Sequence, residues 1–251
     1  MLDGIGASAA WAIYQRQGPV FQARFSARAD NQAAAERFRS RAGEIGSVED
    51  LMRDRRSLSL VLEAFQLEGE IDKRGIIRKL LTDDPADPKS FANRMIDPRY
   101  RMLNAAFGGR GDAPLANPAL VERIVQAAMV NRFEKAAGEG NPGLREALYF
   151  KRNIAAITSV PALMSDRALT SVATGALGLP SQFGLLDYER QRDMLAKRLD
   201  VASFSDPRAV DRLVQRYVVQ AGSQQSANTD PRLALFSGGG GDITGLIGLK
   251  I

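Results

Sequence analysis

Apolar residues recur along this chain at intervals of three, four and seven positions, which is the spacing of an amphipathic α-helix. Leu51, Leu58, Leu62 and Phe65 follow this spacing in one segment. No segment shows sustained alternation of apolar and polar residues, and no Asn-Gly or Asp-Gly turn separates two β-branched runs. The sequence therefore predicts an all-α fold, a compact helical bundle.

Proline positions predict where many of the helices begin. Seven of the 11 prolines follow Asp or Asn. The side chain of Asp or Asn can cap a helix, and proline is tolerated as the first residue of that helix. Most of these pairs are predicted helix starts, including Asp87-Pro88, Asp97-Pro98 and Asp206-Pro207, whereas Asp84-Pro85 and Asp230-Pro231 are predicted turns. The combined signals predict helices over residues 7–17, 20–44 with a break near Asp30, 48–66, 74–82, 88–96, 98–107, 118–137 (ended by Gly138), 142–157, 160–177, 187–199 and 207–221.

One motif occurs twice in the chain. Residues 38–67 align without a gap on residues 150–179 at a constant offset of 112, and eleven of the 30 pairs are identical, where chance gives roughly two. A duplicated unit of several helices explains this match. A looser match continues the unit by pairing Asp87-Pro88 with Asp206-Pro207 and Arg99-Tyr100 with Arg216-Tyr217. The predicted organisation is N-terminal helices over 1–36, a first repeat over 37–109, a linker and connecting helix over 110–147, a second repeat over 148–221 and a Gly-rich tail with an apolar end over 222–251, with the two repeats packed against each other.

The chain contains no cysteine and no histidine, which excludes several kinds of functional site. Disulfides, thiolate nucleophiles, Cys/His metal sites and a Ser-His-Asp triad are excluded. Only carboxylate, lysine or tyrosine chemistry is left, so we expect a protein that is not an enzyme and carries no cofactor. The net charge is +5, but arginines are interleaved with acids, which is typical of a solvated helix surface rather than a nucleic-acid interface.

Charged residues inside the repeated motif and before the predicted helices are the candidates for structural or interaction roles. Asp54 and Asp166 are predicted to form ion pairs at helix contacts; the alternative is a pair of carboxylates for acid–base chemistry. Asp97 is predicted to cap the next helix while nearby arginines bind helix-end carbonyls, with anion binding as the alternative. The full candidate set is Asp54, Arg55, Arg94, Asp97, Arg99, Asp166, Arg167 and Arg216.

The motifs of both halves resemble one bacterial family that is described only as a domain of unknown function. In the first half the resemblance rests on Ser47-Val48, Asp54-Arg55 and the run from Asp87 to Tyr100, and in the second on Ala147 to Arg152 and on Ala176 to Pro180. It covers about residues 25–220. The resemblance implies an all-helical protein without assigned catalytic residues, and some members are described as flagellar or basal-body-associated. Gln66 departs from the family pattern, which has glycine there and keeps it at Gly178.

Together these features favour a structural or adaptor protein that acts through protein contacts linked to the flagellum. The alternative is a small-molecule or anion-binding domain with an arginine-lined pocket between the repeats, formed by several of Arg55, Arg94, Arg99, Arg167 and Arg216. No apolar run is long enough for a membrane span, and Met1–Gly18 lacks the basic start of a signal peptide. We expect a cytoplasmic protein, with export by the flagellar route as the alternative. Residues 243–251 are an apolar end that could join copies of the chain into a homo-oligomer; disorder is the alternative.

Overall fold

The computed structural model describes residues 5–109 and 114–229. Within these two ranges all regular structure is helical, which confirms the prediction of an all-α fold. The α-helices are α1 (Ala7–Ser26), α2 (Ala29–Ala42), α3 (Val48–Arg53), α4 (Arg55–Ala64), α5 (Arg74–Thr82), α6 (Phe91–Arg94), α7 (Pro98–Phe107), α8 (Pro118–Gly140), α9 (Leu144–Asn153), α10 (Val160–Met164), α11 (Arg167–Ala176), α12 (Tyr188–Ala196) and α13 (Pro207–Thr229). Short 3₁₀ turns cover Glu68–Glu70, Ile154–Ala156, Ser181–Leu185 and Val201–Ser205.

Several helices begin directly after an Asp or Asn that caps them, as the proline pattern predicts. Asp97 accepts a hydrogen bond from the backbone N–H of Arg99 at the start of α7, and Asp206 does the same for Arg208 at the start of α13. Asp84 instead closes a turn by accepting from the N–H of Ala86, also as predicted. These bonds satisfy N–H groups that have no partner inside the helix.

The predicted helix start at Asp87-Pro88 is wrong. Asp87 accepts from the N–H of Lys89 in a turn, and the short helix α6 begins only after Ser90 caps it. Asp97, and not Asp87, therefore precedes the longer helix α7 in the first half, as Asp206 precedes α13 in the second half. The looser match of Asp87 with Asp206 does not describe equivalent positions, because a local side-chain bond stabilises a turn at one and a helix at the other.

Two of the predicted helix ends are wrong, at Gly18-Pro19 and at Gly138. The first helix was expected to end before Gly18-Pro19, yet α1 continues through Pro19, because the carbonyl freed by proline belongs to the exposed Gln15 and can bond water. Gly138 was expected to stop a helix, yet α8 continues to Gly140. A side chain at position 138 would meet Arg145 Cβ at 2.7 Å, so glycine there allows a close approach of the neighbouring helix.

The predicted helices over 48–66 and 160–177 are each divided in two at an aspartate. Asp54 separates α3 from α4 and Asp166 separates α10 from α11. The backbone of both residues leaves the helical region, with ψ of 86° at Asp54 and 113° at Asp166. Each carboxylate accepts from backbone N–H groups of the following helix, and this local bond replaces helix continuation.

The apolar side chains form two hydrophobic cores joined by one long helix. The first core lies between α2, α3, α4, α5, α7 and the N-terminal half of α8, and includes Leu62 and Phe107. The second lies between α1, the C-terminal part of α8, α9, α11 and α13, and includes Phe150 and Val214. The large buried side chains that fill both cores supply the main stabilising free energy. Because α8 contributes Ile124 to the first core and Phe133 to the second, it is the central element of the fold.

Polar side chains of α8 lie between the two cores. Arg132 pairs with Glu63 at 2.6 Å and Lys135 with Glu68 at 2.7 Å. The carboxylate of Glu134 is almost fully buried and binds Arg152 of α9 at 2.9 Å. Buried charges require such partners, so this polar layer fixes how α4, α8 and α9 sit relative to one another.

Positions that are 112 residues apart have similar local backbone structure in the two predicted repeats. Descent of the repeats from a tandem duplication stays a prediction. Ser47 and Ser159 each cap the short helix that follows. Gln66 and Gly178 both adopt a left-handed backbone, with φ of 57° and 63°, so the helix-ending turn forms in both halves despite the missing glycine. Residues 110–113 of the predicted linker, Asp230-Pro231 and the apolar end over 243–251 lie outside the described residues.

Candidate functional site

The candidate acids Asp54 and Asp166 hold equivalent places as helix caps. Oδ1 of Asp54 accepts from the N–H of Ser57 at 3.1 Å. Oδ1 of Asp166 accepts from the N–H groups of Ala168 and Leu169 at 2.9 and 3.1 Å. A carboxylate at this position also interacts favourably with the positive end of the helix dipole. Both aspartates therefore stabilise a helix start, and they do not line a common cavity as an acid–base pair would require.

The second oxygen of each carboxylate has a different partner. Asp54 Oδ2 lies 3.3 Å from Arg41 Nε, on the surface between α2 and α4. Partial burial favours the protonated form of Asp54, but the hydrogen bonds from Ser57 and Arg41 outweigh this effect and lower the pKa of Asp54. Its neighbour Arg55 is exposed and pairs with Asp72 at 2.9 Å, an exposed ion pair of the kind that contributes little to stability.

Asp166 is buried, and its second oxygen accepts a hydrogen bond from a buried tyrosine. The hydroxyl of Tyr149 donates to Asp166 Oδ2 at 2.6 Å. Burial and this hydrogen bond to a carboxylate raise the pKa of the Tyr149 phenol, so the phenol stays protonated and donates at neutral pH. The guanidinium of Arg152 lies 5.3 Å from the centre of the Tyr149 ring, which is a cation–π contact.

Asp97 and Arg99 form a second polar unit, at the start of α7. Arg99 donates to both carboxylate oxygens of Asp97 and, through another nitrogen, to the carbonyl of Gln66 at 2.9 Å. Burial favours protonated Asp97, but the bonds from Arg99 outweigh it and lower the pKa of Asp97. The predicted roles, a cap for Asp97 and binding of a helix-end carbonyl for Arg99, are the ones observed. Arg94 is exposed at the end of α6.

The two polar units meet in a cavity of about 420 Å³ between the two halves of the molecule, which we call the inter-repeat cavity. Four candidate residues line it, namely Asp97, Arg99, Asp166 and Arg167. The other four do not: Asp54, Arg55 and Arg94 belong to surfaces of the first half, and Arg216 is exposed on α13. The prediction of an arginine-lined pocket between the repeats is therefore met for Arg99 and Arg167 alone.

Sequence reasoning missed several residues of this cavity. Arg145, Glu146 and Tyr149, all from α9, line it together with Gln66. Arg145 and Glu146 precede the aligned part of the repeat, and no spacing rule links them to Arg99. The cavity holds three arginines, and the carboxylates of Asp97, Glu146 and Asp166 balance their charge. It is thus a polar, nearly neutral site that could hold a molecule carrying both charges.

Within residues 5–109 and 114–229 no three acidic side chains come together as a metal site would require. Across the same two ranges, no helix has an apolar stretch of the length that a bilayer crossing needs.

The fold and this cavity define an all-helical protein of a family without an assigned activity. The model of the family described as protein of unknown function (DUF1217) matches residues 64–210, and the chain belongs to this family. Its fold is similar to the crystal structure of protein AGR_C_984 from Agrobacterium tumefaciens, with a TM-score of 0.76 and 28% sequence identity over 86% of this chain and 93% of that chain. No curated protein matches the chain.

Proposed function

We propose that this protein is a non-enzymatic structural or adaptor protein that acts through contacts with other proteins, and that these contacts belong to the bacterial flagellar system. The proposal has two parts with different support. The adaptor part is supported by how the polar and apolar side chains are used. The flagellar part is supported only by the family resemblance, in which some members are described as flagellar or basal-body-associated.

The polar side chains favour a structural role. Asp54, Asp97 and Asp166 each direct a carboxylate oxygen to backbone N–H groups at a helix start. A catalytic carboxylate needs access to substrate and a pKa suited to proton transfer. Hydrogen bonds lower the pKa of Asp54 and Asp97 instead, which suits permanent ionisation and helix capping.

The observation that carries the adaptor role is an exposed apolar pair on an ordered turn. Leu185 is 86% exposed and Tyr188 is 48% exposed, at the junction of the Ser181–Leu185 turn with α12. Phe183 is buried in the second core and anchors this turn, and Asp187 caps α12. Large apolar side chains held in water on a fixed element are typical of contact sites, where Tyr is enriched.

Affinity purification from the bacterium that encodes the protein, followed by mass spectrometry, tests both parts. The bait is the full chain, compared with a Leu185→Ser/Tyr188→Ser double variant and with Ile96→Ser, which changes a 77% exposed apolar residue elsewhere. We expect flagellar components to be recovered by the wild type and by Ile96→Ser but lost with the double variant. Partners that are unrelated to the flagellum would contradict the flagellar part, and equal recovery by all three baits would contradict the role of this pair.

A second candidate function is the binding of a small charged molecule in the inter-repeat cavity. The observation that favours it is the meeting of Arg99, Arg145 and Arg167 from three different helices in one cavity. Its volume of about 420 Å³ falls in the range typical of small-molecule sites. Because three acids balance the three arginines, amino acids and other zwitterions fit the site better than simple anions.

Titration calorimetry with a set of amino acids and small dicarboxylates tests the second candidate. We expect Arg167→Gln to weaken binding of the best ligand about tenfold, because a charge-assisted hydrogen bond is lost. Arg55→Gln is the matched control, since Arg55 is the residue 112 positions earlier and pairs with Asp72 outside the cavity. No binding by the wild type, or equal weakening by both variants, would remove this candidate.

A further inference from the structure

A second polar cavity lies between α2, α4 and α8. Its volume is about 380 Å³, and we call it the α2–α4 cavity. Arginines from three helices line it, namely Arg37 of α2, Arg56 of α4 and Arg132 of α8. Phe38 and Leu60, both buried in the first core, form apolar parts of the wall.

The α2–α4 cavity is the counterpart of the inter-repeat cavity at the offset of 112 residues. Five lining positions of one cavity match five of the other: 33 with 145, 34 with 146, 37 with 149, 56 with 168 and 59 with 171. Both cavities therefore lie in the same groove, between the first helix of a repeat and the helix that follows the capping aspartate. Equivalent helices therefore form the groove in each half, but the side chains that line it differ between the halves.

Side-chain differences make the α2–α4 cavity open and positively charged. Where Arg145 and Glu146 project into the inter-repeat cavity, the α2–α4 cavity has Ala33 and Ala34. These small residues leave room for a ligand. Where the inter-repeat cavity has Tyr149 and Ala168, the α2–α4 cavity has the two cations Arg37 and Arg56.

The positive charge of this cavity is not balanced by its own acids. Arg132 pairs with Glu63, and the lining acid Asp30 pairs with Arg28. In the part of the chain that the structure describes, the guanidinium groups of Arg37 and Arg56 have neither an ion pair nor a hydrogen bond. Two cationic groups thus remain free to bind a ligand, whereas the lining of the inter-repeat cavity contains as many carboxylates as arginines.

We propose that the α2–α4 cavity binds a small phosphate monoester. A phosphate monoester carries a charge of about −1.5 to −2 at neutral pH, which matches the two unpaired guanidinium groups. Planar guanidinium groups bind phosphate oxygens through two parallel hydrogen bonds, which favours arginine at phosphate sites. The volume of about 380 Å³ also accommodates an organic group, which would lie against Ala33, Ala34 and Phe38. This proposal does not depend on the adaptor role.

Calorimetric titration of the full chain at low ionic strength tests the proposal, because exposed charges are screened at high salt. The probes are glycerol 3-phosphate, inorganic phosphate and acetate. We expect glycerol 3-phosphate to bind saturably, inorganic phosphate to bind more weakly, and acetate not to bind. Arg37→Gln and Arg56→Gln should each weaken glycerol 3-phosphate binding about tenfold or more. Arg94→Gln, which changes an exposed arginine outside the cavity, should leave the affinity unchanged.

The proposal would be overturned if glycerol 3-phosphate did not bind saturably or if acetate bound as tightly as the monoester. Equal weakening by Arg94→Gln would also overturn it, because this result indicates diffuse charge attraction. Arg37 and Arg56 are exposed, and circular dichroism checks that their variants are folded. Amide chemical-shift changes on adding glycerol 3-phosphate to the wild type locate the site without any variant. Shifts centred on α2 and α4 support the proposal, and shifts elsewhere contradict it.

Discussion

The Asp54 and Asp166 regions have the same local sequence and the same helix cap, yet they differ in what surrounds the carboxylate. Asp54 is only partly buried and lies beside Arg41. Asp166 is 8% exposed, binds Tyr149 and lines a cavity between the two halves. The motif thus encodes the helix start in both places. The preceding helix and the neighbouring half of the molecule decide whether the aspartate contacts water or a cavity.

The two cavities extend this comparison from one residue to a groove. They share five lining positions at the offset of 112 residues, but the inter-repeat cavity is closed on one side by Gln66, Asp97 and Arg99 from the other half. The α2–α4 cavity receives Arg132 from α8 in their place. Two similar grooves can therefore carry different charges, because the positions of Tyr149 and Ala168 in one cavity are taken by Arg37 and Arg56 in the other.

The largest difference between the two regions is expected when the aspartates are removed. Asp166→Ala should destabilise the protein by about 2–4 kcal/mol, because the cap is lost and the buried Tyr149 hydroxyl loses its acceptor. Asp54→Ala should cost only about 1 kcal/mol, since it removes a cap and an exposed ion pair. Urea denaturation of the two variants measures the difference. Asp166→Asn is the control, because asparagine also caps helices; equal losses for both alanine variants would show that burial does not distinguish the sites.

A smaller and opposite pair of effects is expected at the turns that end α4 and α11. Gln66 has a left-handed backbone at φ 57°, which costs a residue with a side chain about 1–2 kcal/mol relative to glycine. Gln66→Gly should therefore stabilise the protein by up to about 1 kcal/mol, after the greater freedom of glycine in the unfolded chain is subtracted.

Gly178→Gln is the reciprocal change and should destabilise by about 1 kcal/mol for the same reason. No atom lies within 4 Å of a Cβ built at Gly178, so backbone conformation alone decides the result. Thermal unfolding of both variants measures these shifts. Changes of the same sign in both variants would mean that the two turns are not equivalent.

The smallest expected effect is a pH dependence that belongs to Asp54. The pKa of Asp54 is lower in the folded protein than its usual value, so its stabilising contribution is fully present above the unfolded pKa of about 3.9. The contribution is lost as the pH falls through the folded pKa. The stability difference between wild type and Asp54→Asn, measured by urea denaturation from pH 7 down to pH 3, should therefore shrink only below about pH 4. A difference that is constant across this range would contradict the assignment.

Local signals predicted the helices better than their boundaries. Asp97-Pro98 and Asp206-Pro207 mark helix starts correctly, because capping depends on residues that are close in sequence. The helix breaks at Asp54 and Asp166 were not predicted, because the apolar spacing continues across both residues and indicates one continuous helix. The continuation of α8 through Gly138 was missed for another reason, because it depends on the approach of Arg145 from the next helix.

The candidate site was predicted less completely. Asp97, Arg99, Asp166 and Arg167 were identified as candidates and do meet, but Asp54 and Arg216, selected by the same repeat, do not join them. Arg145 and Tyr149 were missed because nothing in their spacing indicates which distant residues they face. Repetition in a sequence identifies equivalent positions, but it does not indicate which copy will face the other half.

The amino-acid sequence by itself determined the helical class and several of the capping residues, and it predicted the match between the two motifs, because these depend on period, turn chemistry and identity over a few residues. Only the tertiary structure decided that Asp166 is buried, that Arg99 reaches the carbonyl of Gln66, and that two equivalent grooves carry different charge. The physical reason is that burial and charge balance depend on side chains from separate helices. Their meeting is set by how the two cores pack on α8.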